Sequence, residues 1–287
     1  MQAENKFLKQ PPEFWANVKL ISQKIGYTNR GLKSIKVPTI QEIESAYDKL
    51  GLDSSKIILN NKVTAFGSLL IEYFQFRADF LTNHIEPNLQ NLNQVKDLYT
   101  KLKAELKPTC PEPLNKQKGE KQGPAYFTSI INMLIEANSK GYDCNYDPKE
   151  LSAFTHNNFP VRSLSRRVDG SFPNVINPIA LWEIKEYYYT TTFGSRVADG
   201  VYETQLDGYE LKEVREHLGR KIHHCLMIDD HNTWWGMGKS YLCRICDMLH
   251  MGLVTEVIFG KEAVTRVPLL VKEWTKQFDE KNNSGSA

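Results

Sequence analysis

The chain has 287 residues, 41% apolar and 24% charged, and a formal net charge of only +2. That composition suits a globular protein with a core of its own and excludes both a disordered chain and a global polycation, so any nucleic-acid binding must come from local patches. Five cysteines without compact spacing argue for reduced thiols in a cytoplasm, the first 15 residues lack the apolar heart of a signal peptide, and no apolar run reaches the roughly 20 residues of a membrane span.

Residues 1–106 read as helical. PEFWANVKLISQKI is amphipathic and stops at Gly26; a turn-rich stretch with Arg30, Lys33 and Lys36 follows. Thr39 and Glu42 form a capping box, the threonine oxygen accepting from an orphan amide while the glutamate reaches back. The helix they open closes near Gly51, a longer one is expected over roughly 62–84, and another after Pro87. Residues 107–123 are rich in proline, glycine and lysine and read as a linker or exposed loop.

From Pro124 the pattern changes to helix, strand, helix, strand, helix, strand, helix. This predicts an α/β domain over 124–279 with a mixed central sheet flanked by helices, and a flexible tail over 280–287. Residues 150–168 carry no regular pattern, but cluster Arg162, Arg166 and Arg167 before the next strand. In that strand, Leu181-Trp182-Glu183-Ile184-Lys185 alternates with period two, which predicts a half-buried strand with Glu183 and Lys185 on one face. The segment 192–218 reads as a helix with a break expected at Gly200 or Gly208.

A carboxylate and an ammonium side by side are what phosphodiester cleavage needs: hard oxygen ligands for Mg²⁺ and a cation to orient water or stabilise developing charge. Glu-x-Lys alone is weak, and Glu210-Leu211-Lys212, on a helix, is a decoy. Pro173-Asn174, eight residues, then Glu183-Ile184-Lys185 resembles the PD-(D/E)XK nuclease superfamily, which includes most type II restriction endonucleases. The resemblance covers roughly 124–260. It implies a restriction-endonuclease-like core and a Mg²⁺-dependent endonuclease that cuts double-stranded DNA in a restriction or defence role. By that likeness Glu183 and the Ile184 carbonyl are metal ligands, Lys185 is the catalytic lysine, and Glu136 is a candidate further acid. A homodimer is the implied assembly, and the helical N-terminal region an implied recognition unit.

Asn174 departs from the family, which has an aspartate there. Three accounts stand: an Asp-to-Asn substitution that silences the site, Asp169 as the true ligand, or a naturally dead nuclease fold that only binds DNA. For the DNA itself, Arg162, Arg166 and Arg167 are candidate phosphate contacts, Tyr187 a base-stacking candidate, and Ser195 with Arg196 a phosphate-binding helix start. An RNA- or structure-specific nuclease on the same core is a further alternative. Cys243 and Cys246 fall in an apolar helical run and are expected to pack in the core rather than hold zinc.

Overall fold

In the computed structural model, which describes residues 1–29, 34–119 and 122–284, the helix signals act where the residues stand; Arg30 and Lys33 lie outside the described residues. A short helix α1 (Asn5–Leu8) is followed by α2 (Pro12–Ile25), which has proline in its first turn and ends on Gly26 at φ +107°. Before α3 (Ile40–Leu50), Thr39 Oγ1 accepts from the Glu42 amide at 3.3 Å and Glu42 accepts from the Thr39 amide at 2.8 Å; left-handed Gly51 closes the helix. The helix expected from residue 62 starts later. Asn60 and Asn61, both at positive φ, turn a small hairpin of β1 (Ile58–Leu59) and β2 (Lys62–Val63). Thr64 then caps α4 (Ala65–Phe80), which runs on through a π-turn into α5 (Glu86–Asn88).

Next come α6 (Leu92–Leu106) and α7 (Tyr126–Asn138), joined by the proline-rich segment. That segment is no free linker: Thr109 donates its amide to Glu136 at 3.0 Å, Asn132 donates to the Pro111 carbonyl at 3.1 Å, and Leu114 bridges Pro124. Although composition groups α6 with the N-terminal helices, its Val95, Tyr99 and Leu102 share one core with α7 and the sheet.

The sheet strands are β3 (Asn145–Tyr146), β6 (Gly170–Phe172), β7 (Ala180–Glu186), β8 (His223–Asp229) and β9 (Glu256–Phe259), in the order β3-β6-β7-β8-β9. The first three run antiparallel, and β8 and β9 lie parallel to β7, so the sheet is mixed as expected. Between β3 and β6 the stretch read as irregular is a hairpin, β4 (Ala153–His156) and β5 (Phe159–Ser163). The crossovers are α8 (Ser195–Leu218) and α9 (Lys239–His250), and α10 (Ala263–Ser284) closes the fold, taking in part of the expected tail. α8 is unbroken. Gly208 in it faces Leu253, where a Cβ would come within 2.7 Å of backbone and side chain, so glycine serves close packing there and not a break.

Side chains alternate across the sheet. Ala180, Trp182 and Ile184 of β7 join α6, α7 and α10 on one face, with Trp182 stacked on Trp274 at 5.7 Å. On the other face Leu181 packs with Leu211 and Val214 of α8, and the strands beside it meet α9. Among the described residues, no helix is long and apolar enough to cross a membrane.

The N-terminal helices are fastened to α9 by a buried ion pair. Arg77 gives Asp247 two hydrogen bonds, at 2.9 and 3.0 Å, and Tyr73 adds a third at 2.6 Å, with Arg77 only 1% exposed. Removing one partner strands a buried charge, so Arg77→Met should lower stability in urea denaturation by about 3–5 kcal/mol, whereas Arg77→Met with Asp247→Leu should recover most of that loss.

Candidate active site

β7 is the central strand, hydrogen-bonded on both sides, and it is buried on both faces rather than half-buried as its alternation predicts. Glu183 is 0% exposed and Lys185 9%. Lys185 Nζ bonds Glu183 Oε2 at 2.5 Å. In the β6–β7 ladder Gly170 pairs with Trp182, so Asp169, one residue before β6, comes opposite Glu183. Asp169 Oδ2 accepts from the Ile184 amide at 2.8 Å and lies 3.9 Å from Lys185 Nζ. Ile184 thus enters the site through its amide. Glycine at 170 is required by space: a Cβ there would fall 2.1 Å from the Trp182 indole.

A second cation completes the cluster. Arg166 Nη1 and Nη2 donate to the two Glu183 oxygens at 2.9 and 3.2 Å, Nη1 also donates to Asp207 Oδ2 at 2.6 Å, and Nη2 lies 3.3 Å from Glu203. The chain before it is pinned by Ser165, whose amide donates to Glu210 at 3.0 Å, so the decoy glutamate holds the arginine-bearing loop. From α8, Gly200 leaves room for the Lys185 stem, which a Cβ would meet at 3.3 Å. Asp207 is 0% exposed, and its Oδ1 has no hydrogen-bond partner.

Charges interlock here. Burial works to raise the Glu183 carboxyl, but Lys185 and the Arg166 fork outweigh it and hold it below the usual carboxylate range. Burial likewise works against the Lys185 charge, and Glu183 with Asp169 more than compensates, so the ammonium is held firmly protonated. Asp169 is raised, by burial first and then by the Glu183 charge. Asp207 is pushed up to about 7 by burial and by Glu183, with Arg166 opposing.

The sequence candidates divide. Glu183, Lys185, Ile184, Asp169 and Arg166 come together. Asn174 does not join them: it follows the far end of β6, its Oδ1 accepts from the Ile176 amide at 2.8 Å, and it lines a separate cavity of about 400 Å³ with Tyr142 and Phe278. The register decides this, because Phe172 already pairs with Ala180 and each further residue moves away from Glu183. Glu136 is also elsewhere. It sits on α7, which packs on the opposite face of the sheet, and it is held by Thr109. Arg162 is exposed on β5, 3.8 Å from Glu213, and Arg167 is exposed on the loop before β6. Arg166 is engaged with carboxylates, not presented to solvent for phosphate. Tyr187 leans on Trp234 at 5.8 Å, with its hydroxyl passing Gly200 beside Lys185. Ser195 and Arg196 are exposed in the first turn of α8, whose N-cap is Gly194.

Residues 90–274 match a domain of unknown function, DUF7687, and residues 1–84 match another, DUF7690. The chain belongs to the DUF7687 family. No curated protein and no solved structure matches it.

The whole cluster falls inside the DUF7687 segment. Asp207 and Glu203 were not legible as site residues, since a helix rich in acids gives no sign of which one turns inward. Among the described residues, no three His, Cys, Asp or Glu side chains stand together as a ready cage for a metal ion.

Because Asp207 holds its proton in the folded state up to about 7, the folded protein binds more protons than the unfolded chain between the ordinary aspartate range and that value. Its contribution to stability is therefore present at low pH and lost as pH rises toward neutrality. Asp207→Asn should remove that slope. Its melting temperature relative to wild type should improve from pH about 5 to about 8, as read by thermal denaturation across pH.

Proposed function

We propose that the chain is a Mg²⁺-dependent endonuclease of the restriction or defence kind, cutting double-stranded DNA at the Asp169–Glu183–Lys185 centre. The observation that carries this reading is Asp169 standing opposite Glu183 across two antiparallel strands, with Lys185 bonded to one and 3.9 Å from the other. The chain thereby supplies its own second acid, and the reading needs no substitution at Asn174. The order α7, antiparallel β3-β6-β7, α8, parallel β8 supports the restriction-endonuclease-like core that the sequence resemblance implies.

The donors are carboxylate oxygens, the kind a hard divalent cation takes, with the Asp169 side chain partly open to solvent and the Glu183 oxygens to be shared with or released by Arg166 and Lys185. Asp169 and Glu183 would hold the ion, which when bound supplies neutralising charge to the scissile phosphate and acidifies a water. Lys185 is fixed as a cation by its two acids and offers its N–H groups to the attacking water or to charge developing on phosphate. Arg166 spreads the Glu183 carboxylate into a fixed plane and keeps the loop before β6 against α8. A homodimer places two such centres on the two strands of a duplex, and the N-terminal helices would contribute recognition.

A second reading, a DNA-binding protein on an inactivated nuclease fold, draws on one observation: both Glu183 oxygens are already taken by Arg166 and Lys185. Cleavage of plasmid and phage DNA with Mg²⁺ separates the two. On the nuclease reading wild type cuts, Asp169→Asn and Glu183→Gln abolish cutting, Lys185→Ala slows it by about 10²-fold or more, and Asn174→Asp changes nothing. Salt-sensitive DNA binding with no cutting of any DNA would select the second reading. Cutting only of RNA or branched DNA in competition would move the substrate class.

A further inference from the structure

The hairpin of β4 and β5 stands apart from the five-stranded sheet, yet leads directly into the site. Its two-residue turn, Asn157-Asn158, has φ of 50° and 62°, the paired left-handed conformation that matches the twist of the flanking strands. Its base is fixed: Phe154 and Leu164 are fully buried against Leu181, and Thr155 exchanges two hydrogen bonds of 2.8 Å with Asn177. Arg220 adds a bond of 2.6 Å to the Thr155 carbonyl. On the turn-side end of β5 stands Phe159, 72% exposed, the most exposed large apolar side chain among the described residues. A phenylalanine held in water at the tip of an anchored ribbon has apolar surface with nothing to cover it.

Charge says what covers it. Residues 151–168 contain three arginines and no aspartate or glutamate, in a chain whose net charge is only +2. Of those arginines, Arg166 is engaged by Glu183 and Asp207, while Arg162 on β5, 3.8 Å from the exposed Glu213, and Arg167 just beyond it are exposed. We propose that this hairpin is a DNA-reading element in addition to the N-terminal helices, with Phe159 packing against bases of duplex DNA and Arg162 and Arg167 contacting phosphates. The inference rests on the nuclease reading of the Glu183 site for its partner. A two-stranded ribbon fits the major groove of B-form DNA, and an apolar side chain can meet base edges or the thymine methyl there. Arg166 follows Phe159 by seven positions, a reach of at most about 25 Å.

The test is fluorescence anisotropy of a short mixed-sequence duplex in EDTA, where binding is read without cleavage. Phe159→Ala should weaken binding about tenfold with an unchanged salt slope, and Phe159→Trp should restore it. Arg162→Ala should reduce the slope of log affinity against log salt by about 1. Phe159 is exposed, so its variants should keep the wild-type melting temperature, checked by thermal denaturation. Duplex binding by Phe159→Ala equal to wild type overturns the proposal, as does a wild type that binds no duplex or prefers RNA. Cleavage is scored separately: loss of affinity in these variants without any Mg²⁺-dependent cutting keeps the hairpin assignment and fells the nuclease reading, while cutting with unaltered affinity does the reverse.

Discussion

Glu183 and Lys185 are opposite charges carried by the middle strand of a sheet, with a strand on each side and helices above and below. Removing two ions from water costs several kcal/mol each unless geometry and further hydrogen bonds compensate. The surroundings of β7 follow from that demand. Arg166 reaches over to satisfy both Glu183 oxygens, Asp207 and Glu203 of α8 balance Arg166, and Asp169 balances Lys185. The loop that carries Arg166 is tied to α8 through Ser165 and Glu210. α8 itself can come close only because Gly200 and Gly208 present no side chain to Lys185 and Leu253.

The same use of buried polar contacts joins the rest of the chain to this sheet. Asp229, at the end of β8, accepts from the Gln90 amide at 2.8 Å, the Gln90 side chain at 2.7 Å and the Tyr188 hydroxyl at 2.6 Å, all at the entrance to α6. Burial nevertheless pushes that carboxyl up to about 7. Glu186, two residues before Tyr188, accepts from the amides of Phe127 and Thr128 and so caps α7. The C-terminal ends of β7 and β8 are thus tied to α7 and to the start of α6, while Arg77 and Asp247 tie α4 to α9.

Several features were open to reading from residues alone, because their causes are local. Capping boxes, glycine stops and the period-two pattern of 181–185 act over a few residues, so the helices, β7 and the pairing of Glu183 with Lys185 followed from the chain. The Asn157-Asn158 turn was equally local, but the stretch around it was read as irregular, since Pro160 and a bulge at Phe154 and Thr155 disturb the alternation of its hairpin.

Tertiary structure decided what depends on register and on the far side of a helix. Spacing cannot say whether Asp169 or Asn174 meets Glu183, because both lie a short hairpin upstream; the Gly170–Trp182 pairing settles it by fixing every later residue of β6 to a position away from Glu183. Nor can an acidic helix say that Asp207 turns inward while Glu213 faces water, or that α7 lies on the sheet face opposite to Glu183 and carries Glu136 out of reach. The sequence alone determined which residue types could do chemistry and on which strand. Long-range pairing and packing determined which of them share a site, because those contacts join residues whose separation along the chain carries no periodic signal.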